Sequence, residues 1–235
     1  MDLDLLRELA AQIPRGVVVQ AHRDGEPLVY PHLAEALEAF RHHVTSIVTN
    51  GNKLVERADE ILANPPTSIC VSMFKGDPEG MTQLETLGKF MHRASLASKP
   101  PLILAKVVGE PLEPERENCL HAWEHAGMIR VARRLLHVPQ GSHHYRKANP
   151  TIPETGICAD LLHHPSIDWK GGMYLCNRLD PEQRHFLGRI PPFDLEHLWN
   201  EGRRQKFLRA HLEGRRGEVE PCATCQFWGV PSGPA

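Results

Sequence analysis

The sequence predicts an α/β protein with a parallel sheet, followed by a smaller C-terminal unit organised by cysteines. Two observations carry this. Apolar runs of strand length alternate with helix-period segments from Val17 to about Leu136, and four of the six cysteines fall after residue 157 of a 235-residue chain. Alternation of that kind needs crossover connections, and crossovers give parallel strands.

The elements follow in order. Leu5, Leu6, Leu9 and Ala10 share one face of a helix over 3–12, stopped by Pro14 and Gly16. GVVVQA is rich in β-branched residues and reads as a buried strand. Leu33, Leu37 and Phe40 stripe the next helix, and TSIVTNG is a strand closed by Asn50-Gly51. Leu54, Ala58, Ile61 and Leu62 line a helix, and Pro65-Pro66 precede the strand TSICVSMF. Leu84, Leu87, Met91 and Ala94 stripe a longer helix, and Pro100-Pro101 precede the strand LILAKVV. Cys119, Leu120, Trp123 and Ala126 mark a further helix before a basic strand, MIRVARRLL. Ligands of parallel sheets gather at the C-terminal ends of the strands. Three such ends carry polar residues or glycine: Asp24-Gly25-Glu26, Thr49-Asn50-Gly51 and Ser72.

Composition narrows the function classes. The hydrophobic (41%) and charged (24%) fractions are those of an ordinary globular protein, and a net charge of −2 gives no reason to expect nucleic acid or an anionic membrane as partner. No apolar run approaches the roughly 18–20 residues that span a bilayer. The acidic start MDLDLLRELAAQ is unlike a signal peptide, so a cytoplasmic protein with reduced thiols is expected.

Cys158, Cys176, Cys222 and Cys225 form the pattern that organises the chain. The last two make a C-x2-C knuckle, close enough for both thiolates to reach one metal centre. Four thiolates suit a tetrahedral zinc or a cubane iron–sulfur cluster. Structural zinc sites commonly carry two knuckles, and here there is one. Between the first two cysteines, DWKGGMYLC reads as strand–turn–strand, with Gly171 and Gly172 at the turn and Met173–Cys176 returning.

Read from Cys158, the pattern is C-x12-G-x4-C followed by the distant knuckle, with FLGRIPPFDLEHLWN between them. This resembles the cluster-binding C-terminal domain of radical S-adenosylmethionine (SAM) enzymes, SPASM in its long form and twitch in its short, one-cluster form. GEPLVYP and the later TNG resemble that family's second- and third-strand signatures, with Asp24 in place of the first glycine of its G-G-E motif, and Ser72 in VSMFKG matches a position near the SAM ribose. The resemblance spans Val17 to Trp228. It implies a partial parallel β/α barrel of about five strands over 1–145 and a SPASM/twitch domain over 146–235. It further implies SAM contacts at Gly25, Glu26 and Ser72, and a 4Fe–4S cluster on Cys158, Cys176, Cys222 and Cys225. The complete enzyme would be an oxidoreductase or a maturase of a peptide or small molecule. Its auxiliary cluster would accept an electron, and an electron-donor protein would be a partner.

The family's C-x3-C-x2-C loop does not occur in these residues; the first cysteine is Cys70. The expectation is therefore a barrel without its first strand, either a shortened form of an enzyme or a cluster-less relative, that does not itself cleave SAM. A catalytically inactive binding or electron-transfer partner and a structural zinc protein are the alternatives.

The remaining features have plainer readings. The histidine pairs at 42–43, 143–144 and 163–164 read as solvated or interface residues. His164 stands near enough to Cys158 to be an alternative ligand. HAWEH (His121 to His125) matches a zinc-protease string, but on a helix whose apolar stripe already accounts for it. Arg203, Arg204, Lys206, Arg209, Arg215 and Arg216 read as a solvated helix face, with an acidic peptide or phosphate as the alternative. Cys70 and Cys119 read as inert core residues. Asp24, Glu26 and Asp77 show no partner for acid–base chemistry.

Overall fold

A computed structural model describes residues 1–22, 25–134, 157–176, 184–200, 202–220, 222–223 and 225. Asp24, the end of the fifth strand beyond 134, the 143–144 histidine pair and the 145/146 boundary lie outside the described residues. The chain forms two compact units. One is Leu6–Leu135; the other joins Met1–Leu5 to the residues from 136 onward.

The first unit is α/β. Five strands, β1 (Val18–Gln20), β2 (Val44–Thr49), β3 (Ser68–Met73), β4 (Leu102–Val108) and β5 (Arg130–Arg134), pair in that order, every pair parallel. Sequential order places each strand beside its predecessor through crossovers of one hand. Such a sheet is compatible with a partial β/α barrel. The crossovers are α2 (Leu33–Ala39), α3 (Ala58–Ala63), α4 (Gly80–Ser95) and α5 (Pro114–His125), and α1 (Leu3–Gln12) precedes them. Residues 3–12 thus form a helix and supply no sixth strand.

Alternation along the strands decides which face is covered. Ile47, Ile69, Val71, Ile103, Ala105 and Val107 pack against Leu33, Leu37, Ile61, Leu87, Phe90 and Leu120 of the helices in one core. Full burial of each large side chain is worth about 1.5–3 kcal/mol. The residues between them, such as Ser46, Ser72 and Lys106, point to the second face and are only partly buried.

One strand expectation is corrected. GVVVQA reads as a buried strand, yet Val17 and Val18 are 45% and 56% exposed. Among the described residues β1 pairs with β2 alone, and Val18 stands in register with the exposed Val44 on the second face. β-Branched composition marks a strand but not whether both of its faces are covered. The third helix also begins later than its apolar stripe implies, because hydrogen-bonded turns occupy 51–57.

In the other unit, β6 (Ser166–Ile167), β7 (Gly172–Tyr174) and β8 (Phe186–Arg189) form an antiparallel sheet, with α6 (Ala159–His163), α7 (Leu195–Asn200) and α8 (Gly202–Leu212) around it. The turn falls at 168–171, but Gly172, expected in it, already opens β7, and the return strand ends at Tyr174, short of the expected Cys176. Gly171 has φ +81°, and a Cβ there would drive into the Ile190 carbonyl oxygen. Among the described residues, no helix is long and apolar enough to cross a membrane.

Candidate metal centre and strand-end site

The cysteine unit is built from the β6–β7 hairpin outward. The Asp168 carboxylate accepts from Gly172 N–H (2.8 Å), Lys170 N–H (2.8 Å) and the Tyr174 hydroxyl (2.9 Å). Burial alone would raise its pKa. The bonds from Gly172, Tyr174 and Lys170, with the Arg189 charge, outweigh burial and hold it below its ordinary value. The turn thereby sets the return strand β7, which Leu175 and Cys176 directly follow. The Ser166 hydroxyl donates to the Cys176 carbonyl at 3.1 Å.

Cys158 caps the start of α6, and its N–H donates to Nδ1 of the buried His211 at 3.4 Å. The knuckle follows a 3-10 turn at Arg216–Glu218. Cys225 N–H donates to the Cys222 carbonyl (3.2 Å), and the buried Arg216 guanidinium donates to the carbonyls of both Cys222 (2.7 Å) and Cys225. Arg204 is likewise buried. It donates to the Leu161, Leu162 and Trp199 carbonyls and lies over the Trp199 ring at 3.9 Å. The solvated reading of the basic run is corrected for these two arginines, because the guanidinium fork satisfies backbone carbonyls inside the unit. Arg215 keeps to the surface, paired with Glu213 and Glu218.

Cys158 and Cys222 belong to one apolar cluster with Leu161, Leu175, Phe207 and Val219. Burial pushes the Cys222 thiol up to about 12. The neighbouring Cys225 and Cys158 push the same way and Arg216 opposes them. Burial raises Cys158 too, with a smaller push from Cys225. Three of the four expected ligands therefore stand within reach of each other's charge. The fourth, Cys176, directly follows Leu175 of the same cluster. Among the described residues, no group of three or more His, Cys, Asp or Glu is gathered to hold a single metal ion. The donor set fits a sulfur-bound centre in kind: soft sulfurs, with burial disfavouring the free thiolate at Cys158 and Cys222, that a cationic centre would hold as thiolates.

Sequence reasoning missed two histidines here. His185 places Nε2 at 3.8 Å from Cys222 Sγ, and His211 accepts from Cys158. Neither has a spacing to the cysteines that marks it. His164, which sequence proximity suggested, instead faces Asp160 at 3.3 Å.

At the sheet end, the Glu26 carboxylate accepts from Leu28 N–H (3.0 Å), the Thr49 hydroxyl (2.6 Å) and Asn50 N–H (2.7 Å), tying the segment after β1 to the end of β2. Gly25 precedes it at φ +130°. The amide of buried Gln83 donates to the Asn50 and Ser72 carbonyls, and Arg116 donates to the Gln83 oxygen and to the Phe74 carbonyl. These bonds fix the ends of β2 and β3 against α4 and α5 and leave the Ser72 side chain on the second face. Asp77 accepts from Glu79 N–H, a local turn bond. In HAWEH, Glu124 accepts from Val131 N–H and the two histidine rings stack on each other, so the string serves the helix–strand junction.

No protein-family model matches the sequence, and no curated protein matches it.

Proposed function

We propose that this chain is an iron–sulfur protein of the radical SAM type with a twitch-like C-terminal domain. Cys158, Cys176, Cys222 and Cys225 would hold a 4Fe–4S cluster. The observation that carries the reading is that Cys158 and Cys222, from segments more than sixty residues apart, belong to one apolar cluster, with Cys225 near enough for its charge to bear on both. A consecutive five-stranded parallel sheet and the Glu26 junction support it from the other unit.

A four-cysteine cluster supplies one-electron transfer when bound. The protein residues prepare for that in separate ways. Arg216 fixes the knuckle backbone, the apolar cluster buries Cys222 and packs against Cys158, and His185 stands beside the Cys222 sulfur. Gly25, Glu26 and Ser72 would form the SAM-binding strand ends. Glu26 acts there by holding backbone, since its oxygens already accept three donors. The other two cysteines, Cys70 in β3 and Cys119 in α5, sit in separate elements. That favours electron transfer or binding over SAM cleavage by these 235 residues alone. In a complete enzyme, oxidation or maturation of a small molecule or peptide follows from the same reading, with an electron-donor protein as partner.

The test is anaerobic purification, with iron, sulfide and zinc measured. About four iron and four sulfide per chain, lost together when Cys222 and Cys225 are replaced by serine, is the expected result. One zinc per chain with no sulfide would make the unit a structural zinc domain, and no metal at all would remove the reading.

A further inference from the structure

The outer face of α5 carries a pair of histidines that neither the cysteine unit nor the strand ends use. Leu120 and Trp123 pack on the helix-side core with Cys119 beside them, so the opposite face of the helix is turned to solvent. His121 and His125 stand on that face four residues apart, which at the helical repeat sets one above the other. Both are exposed, and their rings lie 6.4 Å apart, centre to centre, with planes within 24° of parallel. Among the described residues, neither imidazole hydrogen-bonds to another group.

The surroundings favour a cation. From Glu117 to Ile129 the chain holds no Lys or Arg. The Arg133 charge, which comes from β5, is taken up by Glu117. His125 ends the helix, where the peptide dipole is negative. For one ion to bind a nitrogen of each ring at about 2.0–2.1 Å in adjacent positions, the ring centres must stand about 4.5–5 Å apart. The Cβ atoms of an i, i+4 pair are about 5–6 Å apart, so rotation of the two exposed side chains closes the remaining gap of about 1–2 Å.

We infer that His121 and His125 form a two-histidine site for a divalent ion of the nickel, copper or zinc class, with water completing its coordination. Imidazole nitrogen suits these ions, whereas magnesium and calcium take oxygen ligands. Glu124, which lies between the two in sequence, is turned to accept from Val131 N–H at the helix–strand junction. The arrangement is therefore one for holding an ion rather than for hydrolysis. The site uses no residue of the cysteine unit and does not depend on the iron–sulfur reading.

The test is calorimetric titration of the full chain with nickel chloride at neutral pH, against magnesium chloride. A saturable one-to-one phase is expected with nickel and none with magnesium. His121→Asn and His125→Asn should each weaken that phase at least about tenfold. The second substitution should cost less than the first in the double variant, since a chelate is lost with either arm. His92→Asn, at an exposed position of α4, should leave it unchanged. Circular dichroism checks the fold, and if an asparagine variant does not fold, His121→Gln and His125→Gln carry the comparison. Heats no larger than those of magnesium, equal affinity in the parent and the single variants, or loss in one single variant alone would overturn the pair. The same titration of the chain carrying Cys222→Ser and Cys225→Ser separates the two centres. A histidine-dependent phase that persists there leaves the pair standing whatever the iron content, and its disappearance there would assign the nickel to the cysteines and overturn the pair.

Discussion

His185 Nε2 lies 3.8 Å from Cys222 Sγ, inside the core of the cysteine unit, with the imidazole tilted against the Phe207 ring. Hydrogen bonds to cysteinyl sulfur raise the reduction potential of a cluster by stabilising its more negative, reduced form. On the proposed function, His185→Phe should lower the midpoint potential at unchanged iron content, read by potentiometric titration with electron paramagnetic resonance. Loss of iron from the variant would instead identify His185 as a ligand.

Arg216 holds the knuckle by two separate carbonyls. Arg216→Met leaves both without their cationic donor and should cost about 2–4 kcal/mol of stability, measured by urea unfolding. Arg216→Lys should recover part of this at most, because an ammonium lacks the planar fork.

Gly171 combines positive φ with close approach to the Ile190 carbonyl. Gly171→Ala should destabilise the hairpin by about 2–4 kcal/mol and, on the proposed function, lower iron retention by moving Cys176. An unchanged urea midpoint would show that the turn can relax.

Glu26→Ala removes the acceptor for Leu28, Thr49 and Asn50 and should cost about 2–3 kcal/mol. Glu26→Gln keeps one oxygen and should cost less. The ordering of the two variants in urea midpoint is the check; equal loss would mean that charge alone matters.

Asp168 has a folded-state pKa below its unfolded value, so it binds protons less readily when folded. Its contribution is present above the unfolded carboxylate value of about 4 and is lost as pH falls through the folded value. Asp168→Asn should therefore show a flatter loss of stability below about pH 4 than the parent chain, measured as the urea midpoint from pH 7 to pH 3.

Much of the parallel unit is legible in the sequence because its signals are local. Leu84, Leu87, Met91 and Ala94 at helical spacing are buried in α4, and the runs around Ile47, Ile69 and Ile103 form strands between them. Asn50-Gly51 closes β2, with Gly51 at φ +81°. The hairpin turn at Gly171 is equally local. A stripe or a glycine acts within a few residues of itself, so the chain order displays it.

What the tertiary structure alone decided involves partners far apart along the chain. Arg204 and Arg216 read like Arg215 until the carbonyls of Leu161 and Cys222 are brought to them. His185 meets Cys222 across 37 residues. Val17 and Val18 look like core residues until β1 is placed at the sheet edge. Composition and spacing determine which elements form. Burial, carbonyl pairing and ligand grouping are set by which distant segments those elements place side by side.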